Sequence, residues 1–287
     1  MWNLGHQFHE QVWPMFMALN FRASLNVAPF EQVLISFGRR LEGNADPYGL
    51  GTETSPWLSW TSLLASVAFQ GTHMPILRLA TAPPVACFVV LVVADSLDDR
   101  MSLTQLGVSG LLRFKQLVYD ALDMRPQPFP RALAGQGSLL TSLRVTIYPR
   151  FDAARRRMLN WAELCDHLST WHSVTVLHVF GTRTPAEQLS AFAHADVFIA
   201  PHGAHLTMSF LLPLDAVLIE CFPEPRRLAP PWLATMVKAN HVRHYELTGG
   251  ADVSQNFSTL HQGAFDADFR VNASEMYAVL RAYGVAA

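Results

Sequence analysis

The sequence predicts an α/β protein in two parts, the second built on a parallel sheet with helices on both faces. Three observations predict this. Between residues 143 and 222, short β-branched runs alternate with helical stretches over short connections, as parallel strands joined by crossover helices do. The stretch "MRPQPFPRALAGQG" at 124–137 holds three prolines and reads as a boundary. The chain has 287 residues, 50% of them hydrophobic, which is enough to fill two cores. The expected domains are therefore residues 1–123, a linker at 124–138, and 139–287, with the tail packing back on the first half.

Each element follows from its local pattern. "NLGHQFHEQVWPMFMALNFRA" at 3–23 predicts an amphipathic helix interrupted near Pro14. "EQVLISF" at 31–37 is a short strand, and the turn-rich stretch at 42–56 is a loop. Helical apolar spacing covers 57–69. "VACFVVLVVA" at 85–94 is a buried strand; its ten residues fall short of the roughly 20 that span a membrane. A helix is expected at 104–123, with Gly107 and Gly110 weakening its start.

Beyond the linker, "LRVTIYPR" at 143–150 is a strand and 155–171 a helix. A strand at 173–180 follows, then a helix at 184–195. That helix carries Thr184 as N-cap, Pro185 in the first turn and Glu187 at the capping-box position. "DVFIA" at 196–200 is a strand, "GAHLTMSFLL" a helix, and "AVLIECF" at 216–222 a strand.

Composition excludes several functions. The formal charge is -2, and no basic stripe with stacking aromatics supports nucleic-acid binding. Of the 21 basic residues only Lys115 and Lys238 are lysines; arginine suits bidentate grips on carboxylate or phosphate. Cys87, Cys165 and Cys221 are scattered among apolar residues and read as buried thiols. Their spacing resembles no zinc knuckle, and the order of "HQFHE" at 6–10 is not the "HExxH" zinc pattern. The aspartates of "FDADF" at 265–269 read as surface. "MWNLGHQFHE" has no basic region followed by an apolar one. The chain is then either cytosolic or lacks its natural N-terminus.

Ligands of parallel sheets sit beyond the carboxyl ends of the strands, and three features are expected there. Arg150 ends the first strand of the second half, "PHGAH" at 201–205 ends the third, and Glu220 ends the fourth. Gly203 permits a close backbone approach. The helix starting near Ala204 leaves unpaired N–H groups that attract phosphate or carboxylate. His202 and His205 can donate to phosphate oxygens or a ribose. Arg155, Arg156 and Arg157 would open the next helix, where cations oppose the dipole, so they call for an anion or open solvent. Near the start, His6 and Glu10 share a helical face, with His9 beside them. A carboxylate next to a histidine can serve as a general base.

At these residues the sequence resembles the family 61 glycosyltransferases, a group that includes plant xylosyl- and arabinosyltransferases and animal N-acetylglucosaminyltransferases. The central match is "ADVFIAPHGAHLTMSFLLPLDAVLIECFP" at 195–223. It is similar to an "HGAGLTN" or "HGAQL" segment, a proline turn and a hydrophobic strand ending in Glu. His202, Gly203, Ala204, Leu206, Pro213, Glu220 and Pro223 match. "YPRFDAARRRMLNWAEL" at 148–164 resembles the family's arginine-rich segment, carrying over Arg150, Arg156, Asn160 and Glu163. "NLGHQFHEQVWPMF" at 3–16 is similar to an "N-x-x-H-x-F-x-D" segment through Asn3, His6 and Phe8, with Glu10 where Asp is usual. His205 stands where Gly or Gln is commoner.

The resemblance implies a GT-B-like α/β fold, two Rossmann-like halves facing a cleft. It implies inverting transfer of a sugar, xylose or N-acetylglucosamine, from a UDP-sugar to a protein-linked glycan or polysaccharide hydroxyl. Glu10 and His6 are then the catalytic residues. Arg150, Arg156, His202, Gly203, Ala204, His205 and Glu220 bind the donor, with Asn3, Asn160 and Glu163 structural near the site. No metal or other cofactor is obligatory. The partners are a nucleotide sugar and a glycan or glycoprotein acceptor, not nucleic acid. Location in the Golgi or endoplasmic reticulum lumen would require an upstream signal or membrane anchor. The alternative is a catalytically silent carbohydrate- or peptide-binding module on the same fold. A nucleotide-dependent oxidoreductase would need a glycine-rich fingerprint, which "IYPRFDAAR" lacks.

Overall fold

The computed structural model describes residues 33–35, 76–78, 107–127, 129, 142–180, 183–224, 232–252, 254–255 and 266–287. The chain divides into two compact units, Met1–Met124 and Arg125–Ala287. In the first, β1 (Val33–Ile35) and β2 (Ile76–Arg78) pair in parallel, and α1 spans Gly107–Ala121. The spacing of Phe114 and Val118 puts both on one face of α1, and both are fully buried. The helices expected at 3–23 and 57–69 and the strand expected at 85–94 lie outside the described residues.

The second unit runs β3 (Arg144–Ile147), α2 (Trp161–Leu168), β4 (Ser173–Val176), α3 (Pro185–Ala193), β5 (Val197–Pro201), a 3₁₀ helix (Ala204–Leu211), β6 (Val217–Pro223), α4 (Trp232–Ala239), β7 (Arg243–Ala251), β8 (Phe269–Val271) and α5 (Ala273–Ala282). These strands form a sheet of order β4-β3-β5-β6-β7-β8. Neighbours from β4 to β7 are parallel, but β8 is antiparallel to β7. The sheet is therefore mixed rather than wholly parallel. Every residue of β5 and β6 is buried, which is why both read as continuous apolar runs rather than alternating ones.

The step from β3 to β4 goes one way along the sheet, and all later crossovers go the other. Right-handed crossovers then put α2 on one face and α3, the 3₁₀ helix and α4 on the opposite face. Packing agrees. Phe192 of α3 stacks on Phe198 of β5 with centroids 4.1 Å apart, and α4 packs on both the 3₁₀ helix and β7. On the other face His167 of α2 stacks on Tyr277 of α5 at 4.1 Å. The reversal of strand order falls between β3 and β5.

Local chemistry fixes the ends. Thr184 accepts from the Glu187 N–H at 3.3 Å while Glu187 accepts from the Thr184 N–H at 2.8 Å, with Pro185 at the helix start. This is the expected capping box.

Several expectations are corrected. The helix expected from 155 starts only at Trp161. Arg156 has φ +58°, outside helical geometry, and Arg155 and Arg157 are drawn away by ion pairs to Asp266 and Asp268 at 2.6 and 2.5 Å. Those two aspartates are each 1% exposed, not surface residues: they satisfy the arginine loop. The strand expected at 143–150 ends at Ile147 and that at 173–180 ends at Val176. Arg150, at φ +65°, lies in the turn beyond β3. Cys221 is buried but Cys165 is half-exposed. Within the second unit α5 packs against β7, and the Ala286 carbonyl lies 2.7 Å from His172 Nε2. Among the described residues, no helix is long and apolar enough to cross a membrane.

Candidate active site

The reversal between β3 and β5 opens a crevice where neighbouring connections leave on opposite faces, the position at which open α/β sheets bind ligands. The turn after β3 brings Arg150 there, and the turn after β5 brings His202–His205. Arg150 Nη1 donates to the His202 carbonyl at 2.8 Å. Arg156 Nη1 donates to the same oxygen at 3.3 Å. One carbonyl thus gathers two guanidiniums, one of them, Arg156, only 8% exposed.

Burial and mutual repulsion both act on these guanidiniums. Burial, then the nearby Arg150 and Arg155, lowers the Arg156 pKa to about 10. Burial also lowers that of Arg150, with Arg155 adding to the effect and Tyr148, Asp152 and Asp266 opposing it. Asp266 pairs with Arg155 at 2.6 Å and faces Arg156 Nε at 3.6 Å. Asp152 accepts from Tyr148 Oη at 2.6 Å and from the Phe180 N–H at 2.8 Å. A diphosphate would supply further negative charge where desolvation strengthens every ion pair.

His205 lies behind the loop. Its ring meets the Tyr148 ring edge-on with centroids 4.7 Å apart. Burial foremost, then Arg150, His202 and Arg156, pushes its pKa well down, so it stays neutral. Its Nε2 is sealed from solvent and has no hydrogen-bond partner among the described residues. Gly203 is required by space rather than by backbone angle. Its φ is 174°, which any residue adopts, but a Cβ there would stand 2.9 Å from His205 Cε1 and Nδ1 and 3.1 Å from Arg150 Nη1. Ala204 begins the 3₁₀ helix, whose first turn closes from the Leu206 N–H to the Gly203 carbonyl at 3.0 Å.

Glu220 is not at a strand end but fourth of the seven residues of β6. It is 1% exposed. Oε1 accepts from His202 Nδ1 at 2.5 Å and Oε2 from His244 Nε2 at 3.0 Å. Burial pushes its pKa up, but the hydrogen bonds and charges of the two histidines outweigh this and hold it below the usual value. With both oxygens engaged, Glu220 orients the loop rather than meeting a ribose itself.

The structure therefore brings together Arg150, Arg156, His202, Gly203, Ala204, His205 and Glu220. Two expected neighbours have other work. Asn160 is buried and joins the start of α2 to β8, donating to the Val271 carbonyl and accepting from its N–H, both at 2.9 Å. The Glu163 side chain is 60% exposed and faces Arg270 at 3.8 Å. Asn3, His6 and Glu10 lie outside the described residues.

Sequence reasoning missed His244, Tyr148 and Asp266. The signal for His244 was the alternation in "VRHYELTG": in parallel register with β6, His244 and Glu246 share a face with Glu220. Ligand atoms of Glu220, His244 and Glu246 lie within 4.8 Å of one another, a set able to hold a cation. A cation there would have to replace the His244–Glu220 hydrogen bond.

A model of the glycosyltransferase 61 family matches residues 4–219, well over half of the chain. The protein belongs to that family, and its activity class is glycosyl transfer. The matched range includes every site residue named above except Asn3, Glu220 and those after Glu220. No curated protein matches the chain.

Proposed function

We propose that this family member is an inverting transferase that moves a sugar, xylose or N-acetylglucosamine, from a uridine diphosphate donor to a hydroxyl of a protein-linked glycan or polysaccharide. The observation that carries the reading is the convergence of Arg150 and Arg156 on the His202 carbonyl, at the reversal of strand order. Charge develops on the leaving diphosphate as the glycosidic bond breaks. Fixed guanidiniums in a desolvated crevice stabilise that charge most in the transition state, and so do work that a metal ion performs in other transferases.

In this reading Glu10, assisted by His6, takes the proton of the acceptor hydroxyl as its oxygen attacks the anomeric carbon. The lumen of the secretory route supplies both donor and acceptor.

The test is a panel of nucleotide sugars, assayed for donor hydrolysis and for transfer with a chelator present. Turnover of a uridine diphosphate sugar is expected, undiminished by the chelator. Binding of a donor with no turnover on any glycan or glycoprotein acceptor would favour a silent module. Turnover abolished by the chelator would overturn the metal-free mechanism.

A further inference from the structure

We propose that Phe151, Trp161 and His178 form a stacking platform for the nucleobase of the donor, beside the Arg150 crevice that takes its diphosphate. The inference rests on the donor-site reading above and deepens it.

The topology gathers the three rings from separate segments. β3 and β4 are parallel neighbours that end side by side, Ile147 against Val176, and the Leu177 N–H donates to the Ile147 carbonyl at 2.8 Å. Both chains therefore leave the sheet at the same carboxyl edge. Phe151 follows Arg150 in the turn after β3, and His178 lies just past the end of β4. Trp161 opens α2, which packs on both strands. As the crossover from β3 to β4, that helix starts at the same edge.

The rings hold one another in a definite arrangement. Phe151 and His178 are nearly parallel, with planes 12° apart and centroids 5.8 Å apart. Trp161 stands across both, at 79° and 5.4 Å from Phe151 and at 89° and 5.3 Å from His178. Edge-to-face contacts of this kind are favourable, so each ring helps to fix the planes of the others. Yet the cluster is not packed away. Phe151 is 38% exposed, and Val179, next to His178, is 41% exposed; His178 is exposed as well. Apolar side chains exposed singly need no explanation, but adjoining ones mark a binding surface. Parallel rings presented to solvent suit a flat ligand ring laid along them.

Position selects the nucleobase. Arg150 sends its guanidinium toward β5, to the His202 carbonyl, whereas its neighbour Phe151 meets His178 on the β4 side. Crevice and platform thus flank β3, each displaced by about one strand spacing, roughly 4.8 Å. In a nucleoside diphosphate a single ribose joins the phosphates to the base. A diphosphate held in the crevice therefore carries its base to the platform. A glycan ring could stack on the same faces, but it has no such tether. Stacking uses the face of a base, and every base has one. The platform supplies affinity rather than a choice among bases.

Titration of the full chain with two probes tests this. Phe151→Ala is expected to weaken uridine diphosphate about five- to a hundredfold, as loss of a base stack does. Inorganic pyrophosphate, which has no base, should change by less than about twofold. Phe151→Tyr keeps the ring and should retain most of the affinity. Phe151→Leu, apolar but without a flat face, should not. The unaltered protein gives a readout that needs no variant: in proton spectra the uracil ring protons of uridine diphosphate should move upfield on binding, as protons over an aromatic face do.

Equal losses for the two probes, equal affinity in the Tyr and Leu variants, or unshifted uracil protons would each overturn the platform. Unchanged uridine diphosphate affinity in Phe151→Ala, with transfer to a glycan acceptor reduced, would overturn it in favour of an acceptor surface and leave the donor site standing. If the unaltered protein binds neither probe, the platform and the donor-site reading fall together.

Discussion

Arg150 grips the main chain of His202, Nη1 to carbonyl oxygen, at 2.8 Å. A side chain from the turn after β3 thus fixes the turn after β5, across the reversal of strand order. The same guanidinium has further N–H groups available in its fork geometry, so one residue can both shape the loop and meet an anion. Arg150→Ala should weaken binding of a uridine diphosphate sugar by about 1.5–3 kcal/mol, the value of a hydrogen bond to a charged group. Arg150→Lys should recover little, because an ammonium cannot reproduce the planar fork. Calorimetric titration measures both, and unchanged affinity in a folded Ala variant would remove Arg150 from the phosphate site.

Gly203 yields a sharper steric test. A methyl group there would lie 2.9 Å from the His205 ring and 3.1 Å from Arg150 Nη1, and His205 is backed by Tyr148. The ring has little room to retreat, so Arg150 or the loop must move. Gly203→Ala should leave a folded protein, with destabilisation of about 1–3 kcal/mol as overpacking produces, and with weaker donor binding. Chemical denaturation and titration of the donor separate the two effects. Wild-type donor affinity would show that the loop's tight packing is irrelevant to the site.

Asp268 joins the arginine loop to the strand that closes the sheet. It accepts from the Arg157 N–H and Nε, each at 2.8 Å, and from Gln255 Nε2 at 2.9 Å, while 1% exposed. Asp268→Ala should cost about 1–3 kcal/mol of stability, chiefly from the part-buried Arg157 N–H left without its acceptor. The ion pair itself adds less, because the Arg157 side chain is 44% exposed. Urea unfolding reads the loss directly. Stability within about 0.5 kcal/mol of wild type would return the "FDADF" stretch to the surface role its sequence suggested.

What the sequence disclosed and what it hid have the same physical origin. The strands and helices from 143 to 222 were legible because their signals are local: apolar runs, the Thr184–Glu187 capping box, a glycine between two histidines. Arg150 and His202 were legible together because strand ends converge in any parallel sheet, whereas Glu220 reaches His202 from the middle of β6. The arginine loop was misread because what displaces the helix start to Trp161 is distant in sequence: Asp266 and Asp268 lie more than a hundred residues from their partners, at |i−j| of 111. His244 was hidden for a related reason. A histidine in a strand carries no mark of its role until register sets it beside Glu220.

Lys115 supplies a prediction about pH. It is 5% exposed within α1, and burial lowers its pKa from 10.5 to about 7. In the unfolded chain the same amine keeps its proton up to its ordinary value. Between about 7 and 10.5 the unfolded state therefore binds more protons than the native state. Stability contributed through this residue then rises with pH across that window and is lowest below it. Lys115→Met keeps the apolar stem and removes the charge. It should raise the stability below pH 7, by an amount on the order of a few kcal/mol at about 1.4 kcal/mol per pKa unit, and with it the midpoint of thermal unfolding. The advantage should shrink steadily toward pH 10.5. Circular dichroism melts of both proteins at several pH values test this. An advantage that stays constant with pH would assign the gain to packing alone, and a variant less stable than wild type at low pH would mean that the contacts of the Lys115 ammonium, the Tyr119 ring 5.8 Å away among them, outweigh the cost of its burial.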